Sequence, residues 1–518
     1  MTSRLLRASA VVSAMTLISR LLGYLRDMVI AVGFGATGAT DAFFVAFRIP
    51  NLLRRMFAEG AFAQAFVPVF TEYKERRPRE ARDLVDHVTG TLALVLGLIT
   101  AAGILAAPLL ILLFAPGFRD DPGQQALATH MLRLTFPYVL FISLTALAGG
   151  ILNSYGRFAV PAFTPVFLNL SLIGAALWLA PRLAQPVVAL AWGVFVAGLL
   201  QLAFQLPALW RLGLLPRPRL RRGHDGVRRI IRLMGPALFG SSVAQFNMLL
   251  NTLLASFLAA GSISWLYYSD RFVELPLALF GIAISTVILP RLSAEHANAS
   301  PAAFSATLDW ALRLALLIAL PAMLGLMLLA GPILASLLQY QAFTPRDTHM
   351  AAISLAVYAL GLPGFVLVKI LAPGFYARQD TATPVRIGLI ALTTNIALYG
   401  LLVLPWLWLH GPAPHAALAF CTAFASLVNA GLLFRRLRRE GVYRPRPGWR
   451  ALLARLGLAL GVMALALHWL RPALPTWQAW AVGQRLTVLG GLIAAALAVY
   501  LVTLWLTGLR PRHLLRSD

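Results

Sequence analysis

Residues 43–62 read FFVAFRIPNLLRRMFAEGAF: twenty residues, mostly apolar, carrying Arg48, Arg54, Arg55 and Glu59. As a helix this stretch is about 30 Å long, the thickness of a bilayer's hydrocarbon core. A guanidinium at mid-bilayer costs on the order of 3 kcal/mol even on the lenient insertion scale. Three of them in one span therefore demand a hydrated or protein-lined face on that helix.

The rest of the chain sets the same problem. Of its 518 residues 59% are hydrophobic and 12% charged, and the mean hydropathy is +0.77. Such a chain is too apolar for a soluble globule and fits an all-α polytopic membrane protein. The net charge of +25 raises nucleic acid as a partner. The excess arginines, however, sit in short segments between apolar tracts, with no aromatic-plus-basic groove beside them, so no nucleic acid is expected. The single cysteine, Cys421, lies in an apolar tract and excludes an intramolecular disulfide.

About fourteen apolar tracts of spanning length follow one another along the chain. Taken alternately, one set of connectors holds thirty Lys and Arg, in segments such as YKERRPREARD, RLGLLPRPRLRRGHDGVRRIIR and FRRLRREGVYRPRPGWRALLAR, and the other set holds five. That alternation is the positive-inside pattern, and it puts both termini in the cytoplasm. The opening MTSRLLRASAVVSAM mimics a secretory signal, but its apolar run continues to Arg20 and Gly23, and removing it would make the span count odd. It is read as a retained first helix.

Two similarities relate spans six apart. NSYGRFAVPAF and GFYARQDTATPVR each place Tyr-x-Arg at a turn, followed by Pro161 or Pro384 opening the next helix, and FRIPNLL and DRFVELPLAL each set charge beside proline inside an apolar tract. An even offset implies parallel repeats. The expected organisation is an N-lobe of six helices (1–215), a C-lobe of six helices (216–440) and two further C-terminal helices (441–518), with a cavity between the lobes.

Intramembrane charge is concentrated in three spans. The first carries Arg20, Arg26 and Asp27, the second Asp41, Arg48, Arg54, Arg55 and Glu59, and the eighth Asp270, Arg271 and Glu274. Gly23, Pro50 and Pro276 predict bends or unwinding at these places. At 100° per residue Asp27 shares a face with Arg20, while Arg26 points elsewhere. Arginine forks suit phosphate and pyrophosphate and do not deprotonate, so the set suits anion binding better than proton relay. The nine histidines are scattered, no metal cluster is recognisable, and there is no phosphate-binding glycine loop. No cofactor is expected. Asp309 and Arg313 read as an ordinary i, i+4 pair.

Asp41 and Glu59 are eighteen residues apart, about 27 Å on a helix, too far to share a reacting centre. Asp41 reads either as a latch at the outer mouth against an arginine of the other lobe, Arg271 first, or as a helix N-cap after GATGAT. Glu59 reads as a gate charge towards the cytoplasm or as a local partner of Arg55. The lack of a convergent acid, base or metal set argues against a membrane enzyme acting on polyprenyl pyrophosphates. A transporter without its own ATPase remains.

SRLLGYLRD, ATDAFFVAFRIPNLLRRMFAEGAFAQAFVPVFTEYK, LNSYGRFAVPAF, ASFLAAGSISWLYYSDRFVELP and KILAPGFYARQDTATPVR closely resemble the MurJ (MviN) lipid II flippases of the multidrug, oligosaccharidyl-lipid and polysaccharide exporter superfamily. The resemblance extends over nearly the whole chain. It implies a flippase of the bacterial inner membrane that moves lipid II, the undecaprenyl-pyrophosphate-linked peptidoglycan precursor, from the inner to the outer leaflet by alternating access, with lipid II and membrane lipids as its partners. It also implies that Arg20, Arg26, Arg54 and Arg271 bind substrate. Asp41 and Glu59 match the family's sensitive acids, and Asp27, Asp270 and Glu274 join them as gate or counter-charges. At Arg48 lysine also occurs in the family, so charge suffices there.

The topology has a direct test. In a background lacking Cys421, cysteines introduced within 35–38 or 412–414 are expected to react with an impermeant thiol reagent added outside, and cysteines within 217–228 are expected to stay protected until the membrane is opened. External labelling of the basic connector would invert the assignment.

Overall fold

A computed structural model of the chain describes residues 2–56, 62–220, 224–409 and 411–509, with side chains described in these except at 2–11, 236–244 and 246. The chain forms two compact units, Met1–Ser264 and Trp265–Asp518. Unit 1 holds α1 (Thr2–Phe34), α2 (Gly38–Arg54), α3 (Ala63–Arg76), α4 (Pro78–Leu105), α5 (Pro122–Ser154), α6 (Ala159–Arg182), α7 (Val188–Arg211) and α8 (Asp225–Ala255). The next helix, α9 (Ser262–Ala297), begins in unit 1 and continues into unit 2, which holds α10 (Pro301–Leu337), α11 (Pro345–Tyr376), α12 (Ala382–Trp408), α13 (Pro414–Arg439), α14 (Trp449–Leu470) and α15 (Val482–Leu506). No strand occurs among the described residues.

Eleven of these helices, α4–α7 and α9–α15, are long and apolar enough to cross a membrane. The places of the other three expected spans are taken by α1, the α2–α3 pair and α8. The expected distortions appear at two of three places. A π-helical segment, Leu277–Gly281, follows Pro276, and Arg55 and Met56, after Pro50, are π-helical. At Gly23 α1 stays regular.

The outward surfaces are lipid-like. Leu98, Leu105, Leu401, Leu465 and Leu501 are exposed, and exposed tryptophans mark helix ends: Trp178, Trp210, Trp408, Trp469 and Trp505. Tryptophan at this level matches the amphipathic headgroup zone. The interior of unit 1 is built around α3, whose Phe66 stacks on Phe62 and Phe70 at 5.3 Å in each case. This column packs with Leu84 and Val88 of α4, Ile151 of α5 and Ile230 of α8. In unit 2 the two C-terminal helices close on α10 through Leu456, Ala459, Met463, Leu492 and Ala496. Small residues let the backbones approach, and polar groups add directed bonds: Tyr500 donates to the Leu317 carbonyl at 2.8 Å, and Trp477 Nε1 donates to Ser336 Oγ at 2.8 Å.

The internal similarity has a definite register. Helix starts recur at a spacing of 223 residues: Pro78 and Pro301, Pro122 and Pro345, Ala159 and Ala382. Proline at the first helical position lacks an N–H that would have no partner there, which makes it a strong start signal. The turns before α6 and α12 keep the same spacing. Gly156 (φ 72°) and Gln379 (φ 62°) are both left-handed, and the next residue of each bonds back five positions, Arg157 N–H to Leu152 at 2.9 Å and Asp380 N–H to Phe375 at 3.1 Å. This helix-ending turn, together with Pro161 and Pro384 two residues inside the next helix, is what the two segments share. The Tyr-x-Arg likeness is offset from it by two residues.

The same register pairs Asp86 with Asp309, and both carboxylates fasten a basic connector. Asp86, buried in α4, accepts the Arg217 N–H at 2.7 Å, and its own carbonyl accepts the Arg219 N–H at 3.1 Å. The connector lies so close that a Cβ on Gly90 would stand 2.2 Å from the Arg219 oxygen. Asp309, buried in α10, pairs with Arg313 at 2.7 Å as expected. It also accepts from Tyr443 OH at 2.7 Å, Trp449 Nε1 at 2.7 Å and Arg446 N–H at 3.2 Å. Asp309→Ala would strand three donors, a loss of about 3 kcal/mol or more. A clear fall in the unfolding midpoint of the detergent-solubilised protein is expected for Asp309→Ala and for Gly90→Ala, and unchanged midpoints in both would refute these fastenings.

Candidate functional site

The charged residues of α1 are ordered by a polar side chain from α6. Arg26 is buried, and its Nε and Nη2 donate to Asp27 Oδ1 at 2.9 and 2.6 Å. Its Nη1 donates to Asn169 Oδ1 at 3.1 Å, and Asn169 Nδ2 returns a bond to the Ser19 carbonyl at 2.9 Å. Helical geometry alone pairs Asp27 with the face of Arg20, but the structure gives Asp27 to Arg26, because a long guanidinium stem curls back onto its neighbour once burial removes water. Arg20 is exposed. Asn169, alone and polar in VFLNLSL, was the legible but missed signal for a partner here.

On α2, Arg48 donates to Thr252 Oγ1 of α8 at 2.5 Å, and Arg54 Nε donates to Asn51 Oδ1 at 2.9 Å. Arg55 is exposed. Glu59 lies outside the described residues. Asp41 is buried and does not cap its own helix: the N-cap of α2 is Thr37, whose hydroxyl accepts from the Thr40 N–H. Instead the Asp41 carboxylate spans the turn into α9. Oδ2 accepts the Gly261 N–H at 2.7 Å, and Oδ1 accepts the Ser264 N–H at 2.8 Å and the Ser264 hydroxyl at 2.5 Å. It thus serves as an N-terminal cap supplied from another helix, satisfying amides at the start of α9 that have no partner within that helix.

In unit 2, Arg271 pairs with Glu274 one turn away at 2.9 Å and lies over the Tyr267 ring at 5.7 Å. Asp270 is exposed. By the 223-residue register Arg271 is the counterpart of Arg48, a correspondence that the sequence likeness through the nearby prolines obscured. These arginines are met by short, local carboxylates or by hydroxyl and amide groups, an arrangement in which an incoming anionic oxygen can replace one oxygen by another.

A third polar group gathers in unit 1 where the sequence reading finds no metal cluster: Asp83 and His87 of α4 meet His224, the cap of α8.

Known proteins match this chain end to end. The pattern of the family described as lipid II flippase MurJ matches residues 30–489. A probable lipid II flippase MurJ of Vibrio cholerae is 47% identical over 99% of this chain and 98% of its own length. The chain belongs to the lipid II flippase MurJ family. Another MurJ, the lipid II flippase of Burkholderia cenocepacia, is 41% identical over 99% of each chain. Among solved structures, a lipid II flippase MurJ in an inward closed conformation superposes with a TM-score of 0.80 at 26% identity, covering 98% of this chain and 99% of that one. An inward-facing multidrug resistance MATE transporter of the MOP superfamily, 16% identical, shares the fold at a TM-score of 0.67 over 84% of this chain and 98% of its own. The all-α polytopic fold expected from the sequence is therefore the MurJ fold.

Asp41→Asn separates the capping role from a simple charge. Asparagine keeps one acceptor oxygen for Ser264 but turns an NH2 towards the Gly261 N–H, a loss of about 1–3 kcal/mol. The unfolding midpoint is expected to fall measurably, and a wild-type midpoint would mean that the carboxylate does not hold the turn.

Proposed function

We propose that this protein is a flippase that carries lipid II from the inner to the outer leaflet of the bacterial inner membrane by alternating access. The observation that carries the reading is the match to the MurJ family along almost the entire chain, at up to 47% identity with no large segment left over on either side. In this reading the chain is a transporter and not an enzyme, and its basic connectors and both termini face the cytoplasm.

The site assignment follows from the chemistry of the cargo. Lipid II presents a pyrophosphate, and Arg20, Arg26, Arg54 and Arg271 are proposed as its binding set. Arg48 is the counterpart of Arg271 in the first repeat. Asp27 and Glu274 act as counter-charges that hold Arg26 and Arg271 in the absence of substrate and give way to phosphate oxygens when it arrives. The Arg26–Asp27 and Arg271–Glu274 pairs support this, since each of these two arginines is already charge-neutralised by a carboxylate of its own helix. Asp270 and Glu59 are proposed as further gate charges, and Asp41 as the residue that steadies the turn at the start of α9 during closure. The lobes are proposed as 1–215 and 216–440, with 441–518 added as a hydrophobic pair for the polyprenyl tail. The 223-residue register shared by three pairs of helix starts supports the six-span repeat.

The test is the appearance of lipid II in the outer leaflet of cells whose only flippase is this chain, and its failure to appear when the chain is depleted. Arg54→Ala and Arg271→Ala are each expected to lower that flux about 10- to 100-fold, the worth of a charge-assisted bond, with protein level and insertion unchanged. Lysine is expected to rescue poorly because it lacks the fork. Full flux in the Arg26, Arg54, Arg271 triple alanine variant would overturn the site.

A further inference from the structure

α4 opens within a polar segment, and the connector from α7 runs along its first turns before entering α8. At the end of that connector Asp83, His87 and His224 converge. One nitrogen of each imidazole and one carboxylate oxygen lie within 4.8 Å of one another. His87 Nδ1 is 3.4 Å from Asp83 Oδ1, His224 Nε2 is 3.4 Å from Asp83 Oδ2, and the two rings are 4.9 Å apart. His87 is buried, and Asp83 and His224 are half-buried.

We propose that Asp83, His87 and His224 form a divalent transition-metal site of the zinc class that clamps the 211–224 connector to α4. Two imidazoles and a carboxylate are a borderline-soft set suited to zinc and its neighbours, and unsuited to calcium or magnesium. Two ligands of a tetrahedral zinc at 2.0–2.1 Å stand about 3.3 Å from each other. The 3.4 Å separation of His224 Nε2 from Asp83 Oδ2 is therefore already one edge of such a polyhedron, and side-chain rotation within the half-exposed rim, bringing in His87 Nε2, completes it. Asp83 and His87 are four residues apart on one helix face, a natural chelating pair. His224 comes from a distant part of the chain, so metal binding there joins two segments.

Supporting bonds surround the three ligands. His87 Nδ1 lies 2.8 Å from the Asp83 carbonyl, which fixes an N–H on that nitrogen and leaves Nε2 its lone pair. His224 Nδ1 accepts the Gly226 N–H at 3.2 Å, which places the ring's remaining proton on Nε2 facing Asp83. A metal entering here needs the lone pair on Nε2, so the ring's proton moves to Nδ1 and the Gly226 N–H gives up that acceptor. The half-exposed side of the cluster leaves room for water as the fourth ligand. Asp86 and Gly90, further along α4, already hold the same connector at Arg217 and Arg219, so the metal would add a hold on His224, at the start of α8.

The full-length protein, purified without a histidine tag, stripped with chelator and held in nanodiscs, is titrated with Co2+ and followed by its visible d–d absorption, then challenged with Zn2+. The expected result is one Co2+ per chain with an intense tetrahedral-type band that Zn2+ displaces. His87→Gln and His224→Gln are expected to weaken binding about 100-fold or more, and Zn2+ to slow tryptic cleavage after Arg219 in the wild type but not in the variants. Asp83→Asn, on the exposed side of α4, is a second variant that leaves both histidines in place and is expected to weaken binding likewise. Absence of a d–d band in excess Co2+, or equal affinity in wild type, Asp83→Asn and the double histidine variant, would overturn the proposal.

Discussion

A guanidinium placed at membrane depth has to be answered by a carboxylate, a carbonyl or water, and much of this structure is arranged around that requirement. Arg26 is answered by Asp27 beside it and by Asn169 from α6, Arg48 by Thr252, and Arg271 by Glu274 one turn on. Arg485 shows the contrasting solution. It is buried at the start of α15, where it donates to the carbonyls of Ala335, Gln478 and Trp480 at 2.7–2.9 Å. Backbone carbonyls cannot leave, so Arg485 is a structural rivet that ties α15 to α10. Carboxylate side chains can rotate away, so the pairs on α1 and α9 can open where the carbonyls around Arg485 cannot.

The same economy governs the connectors. Asp86 and Asp309 stand at equivalent places, 223 residues apart, near the start of a spanning helix. Each takes a backbone N–H from a proline- and arginine-rich segment. Proline in PRPR and RPRP removes every second donor, so the remaining arginine amides are few and each has one place to go. In unit 1 the fastened segment leads into α8, and in unit 2 it leads into α14, where Tyr443 and Trp449 add two further bonds to the same carboxylate. A device repeated in this way indicates that connector placement, and not only helix packing, is set within each repeat.

Asp41 shows how far a sequence pattern can mislead about a single acid. Following GATGAT at a helix start, it has the position of a local cap, yet Thr37 takes that role. Asp41, one turn further in, faces Gly261 and Ser264. A carboxylate in the first turn of one helix reaches the free amides of another only if the two helix starts are adjacent, and adjacency is not a local property. The cluster of Asp83, His87 and His224 has the same character. His87 and Asp83 look unremarkable as a pair in the sequence, and the third ligand arrives from the far end of α7's connector.

By itself the sequence determined the solvent, the helical membrane-spanning fold and the distortions after Pro50 and Pro276, but not the regular helix at Gly23. Hydropathy at twenty-residue length, the alternation of basic connectors, and the prolines beside the charges are all properties of contiguous residues, and bilayer thickness and backbone geometry act on contiguous residues. Family resemblance in long uninterrupted motifs was legible for the same reason. Tertiary structure alone decided which partner each charge took: Arg26 for Asp27 in place of Arg20, the α9 turn for Asp41, Thr252 for Arg48, and the connector for Asp86 and Asp309. A long polar side chain in a medium without water bonds to whatever polar group the packing of neighbouring helices brings within about 3 Å. That choice is made among residues separated by up to 223 positions in the chain, at a range over which periodicity carries no information.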